Sequence, residues 1–189
     1  VTGDEVLKIF RESGALLEGH FRLSSGLHSG GYLQCALVLQ HPRHAEALGG
    51  AIADRVRALA PQAVLSPALG GIVIGQEVGR GLGVRALFAE RQDGALTLRR
   101  GFTLAAGERV LVVEDVVTTA GSTRETIDVA RRAGASVVGA ASIIDRGAES
   151  NRLDVPFEPL VRHPLPTWDA NACPLCQQGI PVVKPGSRT

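Results

Sequence analysis

Lysine is almost missing from this chain. Of its 20 basic residues only Lys8 and Lys184 are lysines, and both lie near the ends. Any cation that chemistry needs in the middle of the sequence must therefore be an arginine or a histidine. Cysteine is scarce as well: Cys35, Cys173 and Cys176 are an odd number and too few for a disulfide framework. No apolar run approaches the roughly 20 residues of a membrane span, and the N-terminus lacks the basic-then-apolar pattern of a signal peptide. An excess of one charge is missing too. Twenty basic against 19 acidic residues leave a net charge of +1, and no basic stripe carries interleaved aromatics. Neither a nucleic-acid nor a membrane partner is expected from that balance, and the cytoplasm is the expected compartment.

What is present suits one soluble domain of 189 residues, with 44% apolar and 21% charged residues. Many of the 23 glycines follow short apolar runs, where a strand hands over to a loop or helix. Thr2 and Glu5 read as a capping box ahead of a helix carrying Val6, Ile9 and Phe10, with Gly14 as its stop. Gly19 to Gln34 reads as loop with short extended pieces. A second helix follows Pro42, with Ala45, Leu48, Ile52, Val56 and Leu59 on one stripe and Pro61 just beyond.

From residue 63 the pattern alternates. Strands are expected at Ala63–Leu65, Val84–Phe88, Val110–Val113 and Ser136–Ile144, with helices running to about Leu82 and Ala133. Leu96 and Leu98, between the turns Asp93-Gly94 and Ala106-Gly107, suggest a hairpin. This rhythm predicts an α/β fold with a central, mostly parallel sheet flanked by helices. Ligands on such sheets bind beyond the carboxyl ends of the strands. Four polar clusters fall there: Pro67–Gly71, Glu90-Arg91, Glu114–Ser122 and Asp145-Arg146.

The segment Val110-Leu-Val-Val-Glu-Asp-Val-Val-Thr-Thr-Ala-Gly-Ser-Thr123 is the most informative. An apolar strand delivers Glu114 and Asp115 to the sheet edge. Thr118, Thr119, Ala120, Gly121 and Ser122 then supply hydroxyls and small residues immediately before a helix. A helix N-terminus offers unpaired N–H groups and a positive dipole end, so this stretch can cradle a phosphate. Paired carboxylates beside it can accept hydrogen bonds from vicinal sugar hydroxyls or hold a divalent cation. A ribose 5-phosphate satisfies both halves. The plainer reading, a strand end with solvated acids before an ordinary capped helix, explains less of the segment.

This segment closely resembles the phosphoribosyl pyrophosphate motif of the type I phosphoribosyltransferases. The resemblance implies that Glu114 and Asp115 meet the ribose hydroxyls while Thr118 to Ser122 hold the 5-phosphate, with Val116 and Val117 part of the same phosphoribosyl pyrophosphate site. Ala120 stands where many members carry glycine. Three further segments resemble the orotate-specific members. Gly19 to Ser29 looks like their N-terminal loop, with Tyr32 and Leu33 where the family has residues touching orotate. Ser66-Pro-Ala-Leu-Gly-Gly-Ile72 looks like their pyrophosphate loop, giving Gly70 and Gly71 that role. Asp145-Arg146 ends a strand where the family places an arginine on the orotate carboxylate, and Thr118 adjoins the same pocket. Arg146 makes sense independently, because a guanidinium fork pairs bidentately with a planar carboxylate. A surface salt bridge is its plainer alternative.

The resemblance implies a single phosphoribosyltransferase domain: a hood and base-pocket segment at 1–40, a core at 41–160 and a C-terminal tail at 161–189, with a hairpin over the site. It also implies Mg²⁺ carried mainly by the pyrophosphate, and a homodimer. The expected reaction moves the 5-phosphoribosyl group from phosphoribosyl pyrophosphate to orotate, in pyrimidine biosynthesis. A purine or xanthine phosphoribosyltransferase, or a non-catalytic nucleotide-binding regulator of the same fold, are the rival readings.

The chain departs from the family in its cations. Ser24 and Leu69-Gly70 stand where lysines are usual, and the shortened loop from Phe88 to Arg100 has neither lysine nor histidine. Arg91 aligns best with the missing loop lysine and is the expected catalytic cation beside Asp115, with Arg99 and Arg100 as further candidates. Cys173-Pro-Leu-Cys176 supplies only half of a closed zinc site, which needs four ligands. No second cysteine pair exists, and His20, His28, His41 and His44 show no metal-ligand spacing on a helix face. Reduced thiols are therefore expected there, with completion by His163 and a partner subunit as the alternative. His28 borders the presumed base pocket.

Overall fold

The computed structural model describes residues 1–23, 26–147 and 153–185, so Ser24 and Ser25 of the N-terminal loop lie outside the description. Helix α1 (Gly3–Glu12) starts at the expected capping box. The Thr2 amide donates to Glu5 Oε2 at 2.7 Å and the Glu5 amide to Thr2 Oγ1 at 3.3 Å, while Val6 and Phe10 are buried beneath. Strands β1 (Leu16–Arg22) and β2 (His28–Leu33) form an antiparallel hairpin joined at its other edge by β9 (Thr167–Trp168). The stretch expected to be mostly loop is thus largely strand. Its Gly-Gly pair and uneven burial give no clean period of two, and only pairing across the turn defines it.

Short helix α2 (Ala36–Leu39) leads into α3 (Pro42–Val56), which has Pro42 in its first turn, where the missing N–H costs nothing. The core follows as β3 (Ala63–Pro67), α4 (Gly70–Leu82), β4 (Arg85–Gln92), β5 (Ala95–Leu98), β6 (Arg109–Val117), α5 (Gly121–Arg132), β7 (Ser136–Asp145) and β8 (Phe157–Arg162). A short α6 (Pro174–Gln177) lies in the C-terminal segment. The sheet order is β5-β4-β3-β6-β7-β8, parallel throughout except for the β4–β5 hairpin. This is the α/β architecture with a mostly parallel sheet that the alternating pattern implies.

Alternation along the central strands explains the two-sided burial. Leu111 and Val113 join Val64 in the cluster that packs on α3 and α4, while Val110 and Ala63 pack toward Val129 and Ala130 of α5. Val112 meets Ile127 on that second face. Every residue of β3 is buried, as a central parallel strand requires. Strand β8 closes the far edge and has no counterpart in the sequence reading, because Phe157–Arg162 is short and interrupted by Pro159.

Chain direction fixes where a ligand fits. From β3 the chain crosses over through α4 to β4 on one side; from β6 it crosses through α5 to β7 on the other. Neighbours β3 and β6 therefore form the switch point of the sheet. Their carboxyl ends, Pro67–Gly71 and Glu114–Ser122, border one crevice.

Helices α3 and α4 touch through glycine. A Cβ on Gly49 would lie 2.4 Å from Glu77 Cβ and 2.9 Å from its backbone carbonyl carbon, whereas a Cβ on Gly50 would meet nothing within 4 Å. Gly49→Ala is expected to destabilise the protein by about 1–3 kcal/mol through overpacking. Gly50→Ala should stabilise it by roughly 0.5–1 kcal/mol through helix propensity. Urea unfolding of the two variants checks this, and equal effects would contradict the close packing.

Candidate active site

The end of β6 carries the two acids on opposite sides of the strand. Glu114 is buried, and both of its oxygens are taken by hydroxyls of the following segment: Ser122 Oγ donates to Oε1 at 2.7 Å and Thr123 Oγ1 to Oε2 at 2.5 Å. Burial pushes its pKa up, and the two hydroxyl bonds offset only part of that rise. Asp115 lies at the other end of the crevice. Its Oδ1 accepts from the Val116 amide at 2.9 Å, and a Cβ on Gly70 would come within 2.7 Å of Oδ2. Gly70 is thus required for the first turn of α4 to approach the acid. Burial raises the Asp115 pKa, opposed in part by backbone hydrogen bonds and by the thiol of Cys35. That buried thiol is held well above its ordinary range, first by desolvation and then by Asp115.

Between these fixed points runs the expected phosphate cradle. Thr118 and Thr119 are exposed, Ala120 is buried in the left-handed conformation at φ 60°, and Gly121 begins α5. The positive φ explains why glycine is common at that position; alanine adopts it at a cost of about 1 kcal/mol. Thr119 O accepts from Arg124 Nη1 at 2.8 Å, which pins the loop to the first turn of its own helix. Strand pairing brings Val117 beside Asp145, and the Arg146 amide donates to Val117 O at 2.8 Å. Arg146 therefore sits one strand over, level with the start of the cradle.

The arginines divide sharply by partner. Arg91, expected to face the pyrophosphate, instead bonds Glu125 of α5 at 2.9 Å and Gly94 O at 2.6 Å. Glu125 also accepts from the Leu96 amide at 2.6 Å, so it ties the β4–β5 hairpin to α5. Arg100 pairs with Glu90 at 2.7 Å and lies over the Phe88 ring, whereas Arg99 is exposed and makes no ion pair among the described residues. Asp145 is occupied by Arg162 at 3.5 Å and by the Gly147 amide at 2.8 Å. Arg146 is left over. It is half-buried, makes no ion pair among the described residues, and its Nε is buried without a hydrogen-bond partner. Burial draws its pKa down from the ordinary arginine value. A buried guanidinium N–H without a partner is a donor that a planar anion can satisfy.

Tyr32 and Leu33, expected at the base pocket, are half-buried at the end of β2, with Tyr32 6.1 Å from the Phe21 ring and within 3.5 Å of Gln34 Nε2. Pro67 to Gly71 lies at the end of β3, where the Ala68–Leu69 peptide is cis and the Leu69 side chain is exposed. Ser66 Oγ is buried there with no hydrogen-bond partner.

The structure brings together residues that lie far apart in the sequence. Cys173 and Cys176 do not stand apart from the histidines: His20, His28, Cys173 and Cys176 place one ligand atom each within 4.8 Å of one another. His20 and His28 flank the β1–β2 turn, and Arg22 pairs directly with His28, which makes the two histidines diagonal neighbours on one face. That hairpin spacing was the available signal, hidden because the segment reads as loop. His41 and His44 lie together elsewhere, at the start of α3.

Comparison with known proteins agrees with this geometry. The model of the phosphoribosyl transferase domain matches residues 36–160. The orotate phosphoribosyltransferase of Pelotomaculum thermopropionicum is 51% identical over 188 residues, covering 100% of this chain and 99% of that protein. The crystal structure of orotate phosphoribosyltransferase from Aeropyrum pernix superposes with a TM-score of 0.67 at 27% identity, over 83% of this chain and 93% of that one. That of the Mycobacterium tuberculosis enzyme in complex with 5-phospho-alpha-D-ribosyl 1-diphosphate shares the fold, with a TM-score of 0.65 at 22% identity over 84% and 94%. This chain belongs to the orotate phosphoribosyltransferases, within the phosphoribosyl transferase domain family.

Proposed function

We infer that this enzyme transfers the 5-phosphoribosyl group from phosphoribosyl pyrophosphate to orotate, releasing orotidine 5'-monophosphate and pyrophosphate. The observation that carries the substrate choice is Arg146, a half-buried guanidinium without an ion partner, set beside a phosphate cradle. A purine has no carboxylate to satisfy it; orotate does.

The donor's 5-phosphate rests on Thr118 to Ser122 at the α5 N-terminus, where the positive end of the helix dipole faces the loop. Asp115 is the acid best placed for the ribose hydroxyls, since both oxygens of Glu114 already hold Ser122 and Thr123. Glu114 is a positioning residue that fixes the cradle, and its reach to the ribose is through that loop. Gly70 and Gly71 open α4 and present backbone N–H groups to the pyrophosphate, where a lysine is absent. Mg²⁺ supplies Lewis-acid charge and orientation on the pyrophosphate. The protein's donors fit that division, because Asp115 is a hard oxygen ligand at the crevice and Glu114 is spoken for. With the base held by Arg146 and the Tyr32–Leu33 edge, the orotate ring nitrogen bonds to C1 of the ribose as the bond to pyrophosphate breaks, and the proton of the ring N–H passes to the departing pyrophosphate. The protein's contribution is positioning and charge stabilisation.

Arg91 is the proposed hairpin cation for the departing pyrophosphate. Its pair with Glu125 is exposed, with side-chain accessibilities of 55% and 29%, and such pairs are worth only about 0–1 kcal/mol. Exchanging Glu125 for a pyrophosphate therefore meets little resistance. The exposed hairpin that bears Arg91 suits a homodimer in which each hairpin covers a site, and three unpaired thiols suit the cytoplasm. No helix among the described residues is long and apolar enough to cross a membrane.

Three measurements test this reading. Loss of Arg146's charged hydrogen bonds is worth roughly 1.5–3 kcal/mol, so Arg146→Ala should raise the KM for orotate by about 10- to 150-fold. Arg146→Lys should restore only part, because an ammonium cannot make the bidentate pair. Following orotate absorbance reads both, with phosphoribosyl pyrophosphate affinity unchanged; normal orotate turnover by Arg146→Ala would sink the substrate assignment. Arg91→Ala should lower kcat by at least about 10-fold while leaving unfolding nearly unchanged, as expected for a cation acting mainly at the transition state. An unaffected kcat would reassign Arg91 to the hairpin tie alone. For Glu114, burial raises the folded-state pKa above the unfolded value. The folded protein then holds that proton more tightly, so the stability of wild type relative to Glu114→Gln is greatest below the ordinary glutamate range. It should decline as pH rises through the raised value and level off above it. Urea unfolding of both proteins across that window checks the sign, and a difference that grows with pH would refute it.

A further inference from the structure

Phosphoribosyl transfer leaves the His–Cys cluster of the hood unused. Strands β1 and β2 supply His20 and His28, and the C-terminal segment supplies Cys173 and Cys176 around the start of α6. His20, His28 and Cys173 are 3%, 6% and 1% exposed, and Cys176 closes the outer side. We propose that His20, His28, Cys173 and Cys176 bind one divalent zinc-type ion, a structural centre that fastens the C-terminal segment to the base-pocket hairpin.

Geometry and ligand chemistry both support it. Nε2 of His20 lies 3.4 Å from the Cys173 sulfur and 3.8 Å from that of Cys176, and Nδ1 of His28 lies 3.3 Å from the Cys176 sulfur. A tetrahedral zinc with imidazole and thiolate ligands at ordinary bond lengths spaces those atoms roughly 3.3–3.8 Å apart. The two imidazoles approach at 2.9 Å between His20 Nε2 and His28 Nδ1, slightly inside that range. The tautomer is also fixed. Nδ1 of His20 lies 2.7 Å from Ile180 O, and a carbonyl only accepts, so Nδ1 carries the hydrogen and Nε2 presents its lone pair to the cluster. Without a cation, His28 Nδ1 or a thiol must donate to that lone pair. A cation replaces the donated proton and draws the thiols into their thiolate form.

Two thiolates and two imidazoles select a borderline-soft ion over Mg²⁺ or Ca²⁺, which prefer oxygen. Four protein ligands leave no open position, so the ion is structural and not catalytic. Its place explains the need. The sheet β1-β2-β9 has a third strand of only two residues, and beyond it the C-terminal segment is held by backbone bonds of 2.8 Å from Arg22 N to Val183 O and from Val183 N to His20 O. A two-residue edge strand adds few backbone bonds of its own to that sheet. A metal clip between residues some 150 positions apart would stabilise the closed form strongly by restricting the unfolded chain.

The test is metal content and cobalt spectroscopy on the intact protein. Protein purified without chelator should carry about one zinc per chain. Stripped protein titrated with Co²⁺ should develop thiolate charge-transfer bands and the strong visible bands of tetrahedral cobalt. Zinc removal should lower the Tm by roughly 5–10 °C, restored by Zn²⁺. Cys176→Ser is the chosen variant because Cys176 is exposed and its replacement should not prevent folding. That change and His28→Ala should weaken or abolish the cobalt bands, while His41→Ala, outside the cluster, should keep them. Unchanged bands in Cys176→Ser, a Tm indifferent to zinc, or a Cys173–Cys176 disulfide in protein prepared without reductant would each overturn the proposal.

Discussion

The buried carboxylate of Glu114 is the contact on which the rest of the crevice depends. A carboxylate drawn out of water at the end of a central strand is expensive unless its oxygens are occupied. Here Ser122 and Thr123 occupy both, and they belong to the helix that the strand feeds. The bond therefore runs across the loop from its first residue to its last. It fixes where α5 begins, forces the chain between Val117 and Gly121 into a tight turn, and leaves Ala120 in a left-handed conformation. The exposed amides and hydroxyls of that turn are the surface a phosphate would meet. Asp115, one residue on, alternates to the other side and reaches α4, which only a glycine at position 70 allows. Two adjacent acids thus lock two helix N-termini onto one crevice.

The scarcity of lysine acquires a structural meaning from that crevice. A lysine amine buried beside Asp115 and the cradle would lose charge to desolvation more readily than a guanidinium, whose charge is delocalised and more weakly hydrated. Arginine can be held half-buried and still ionised, as Arg146 is. Its neighbours keep it available: Asp145, the nearest acid in sequence, is engaged by Arg162 and the Gly147 amide. Arg91, Arg85, Arg100 and Arg131 all have carboxylate partners on the surface. Among the described residues, Arg146 differs from these surface arginines in carrying a buried Nε with no hydrogen-bond partner.

Legibility followed the range of the interactions. The β6–loop–α5 segment is local, its apolar run, acids, small residues and helix lying within fourteen consecutive positions, so its shape could be read directly. The parallel core was legible because strand and helix periods alternate within short windows. Glu114's inward turn was not, since its partners follow it by eight and nine residues and a solvated acid has the same sequence. Arg91 was expected in a loop beyond a strand ending at Phe88, whereas it lies inside β4, and its bond to Glu125 joins residues 34 apart and depends on how the hairpin lies on α5. The hood was the least legible part. Its strands carry Gly30-Gly31 and alternating polar residues, and its third strand comes from the opposite end of the chain. The convergence of His20 and His28 on Cys173 and Cys176 is a tertiary event that no spacing rule along the chain can express.

That convergence also connects two regions that the sequence keeps apart. His28 opens β2, and Tyr32 and Leu33 end it. An extended strand advances about 3.3 Å per residue, so the cluster and the base-pocket edge lie roughly 13 Å apart along one strand. Gly31 between them already sits close against Leu165 of the C-terminal segment, where a Cβ would come within 2.9 Å of that side chain. Ser29 donates to Pro166 O at 3.1 Å, and His28 pairs with Trp168. Order in the C-terminal segment is therefore order in β2, which carries Tyr32 and Leu33. The hood differs in this from the central strands of the core, such as β3, which are buried along their length between helices. Its few residues are held in part by contacts from the other end of the chain, and the position of Tyr32 and Leu33 at the end of β2 rests on them.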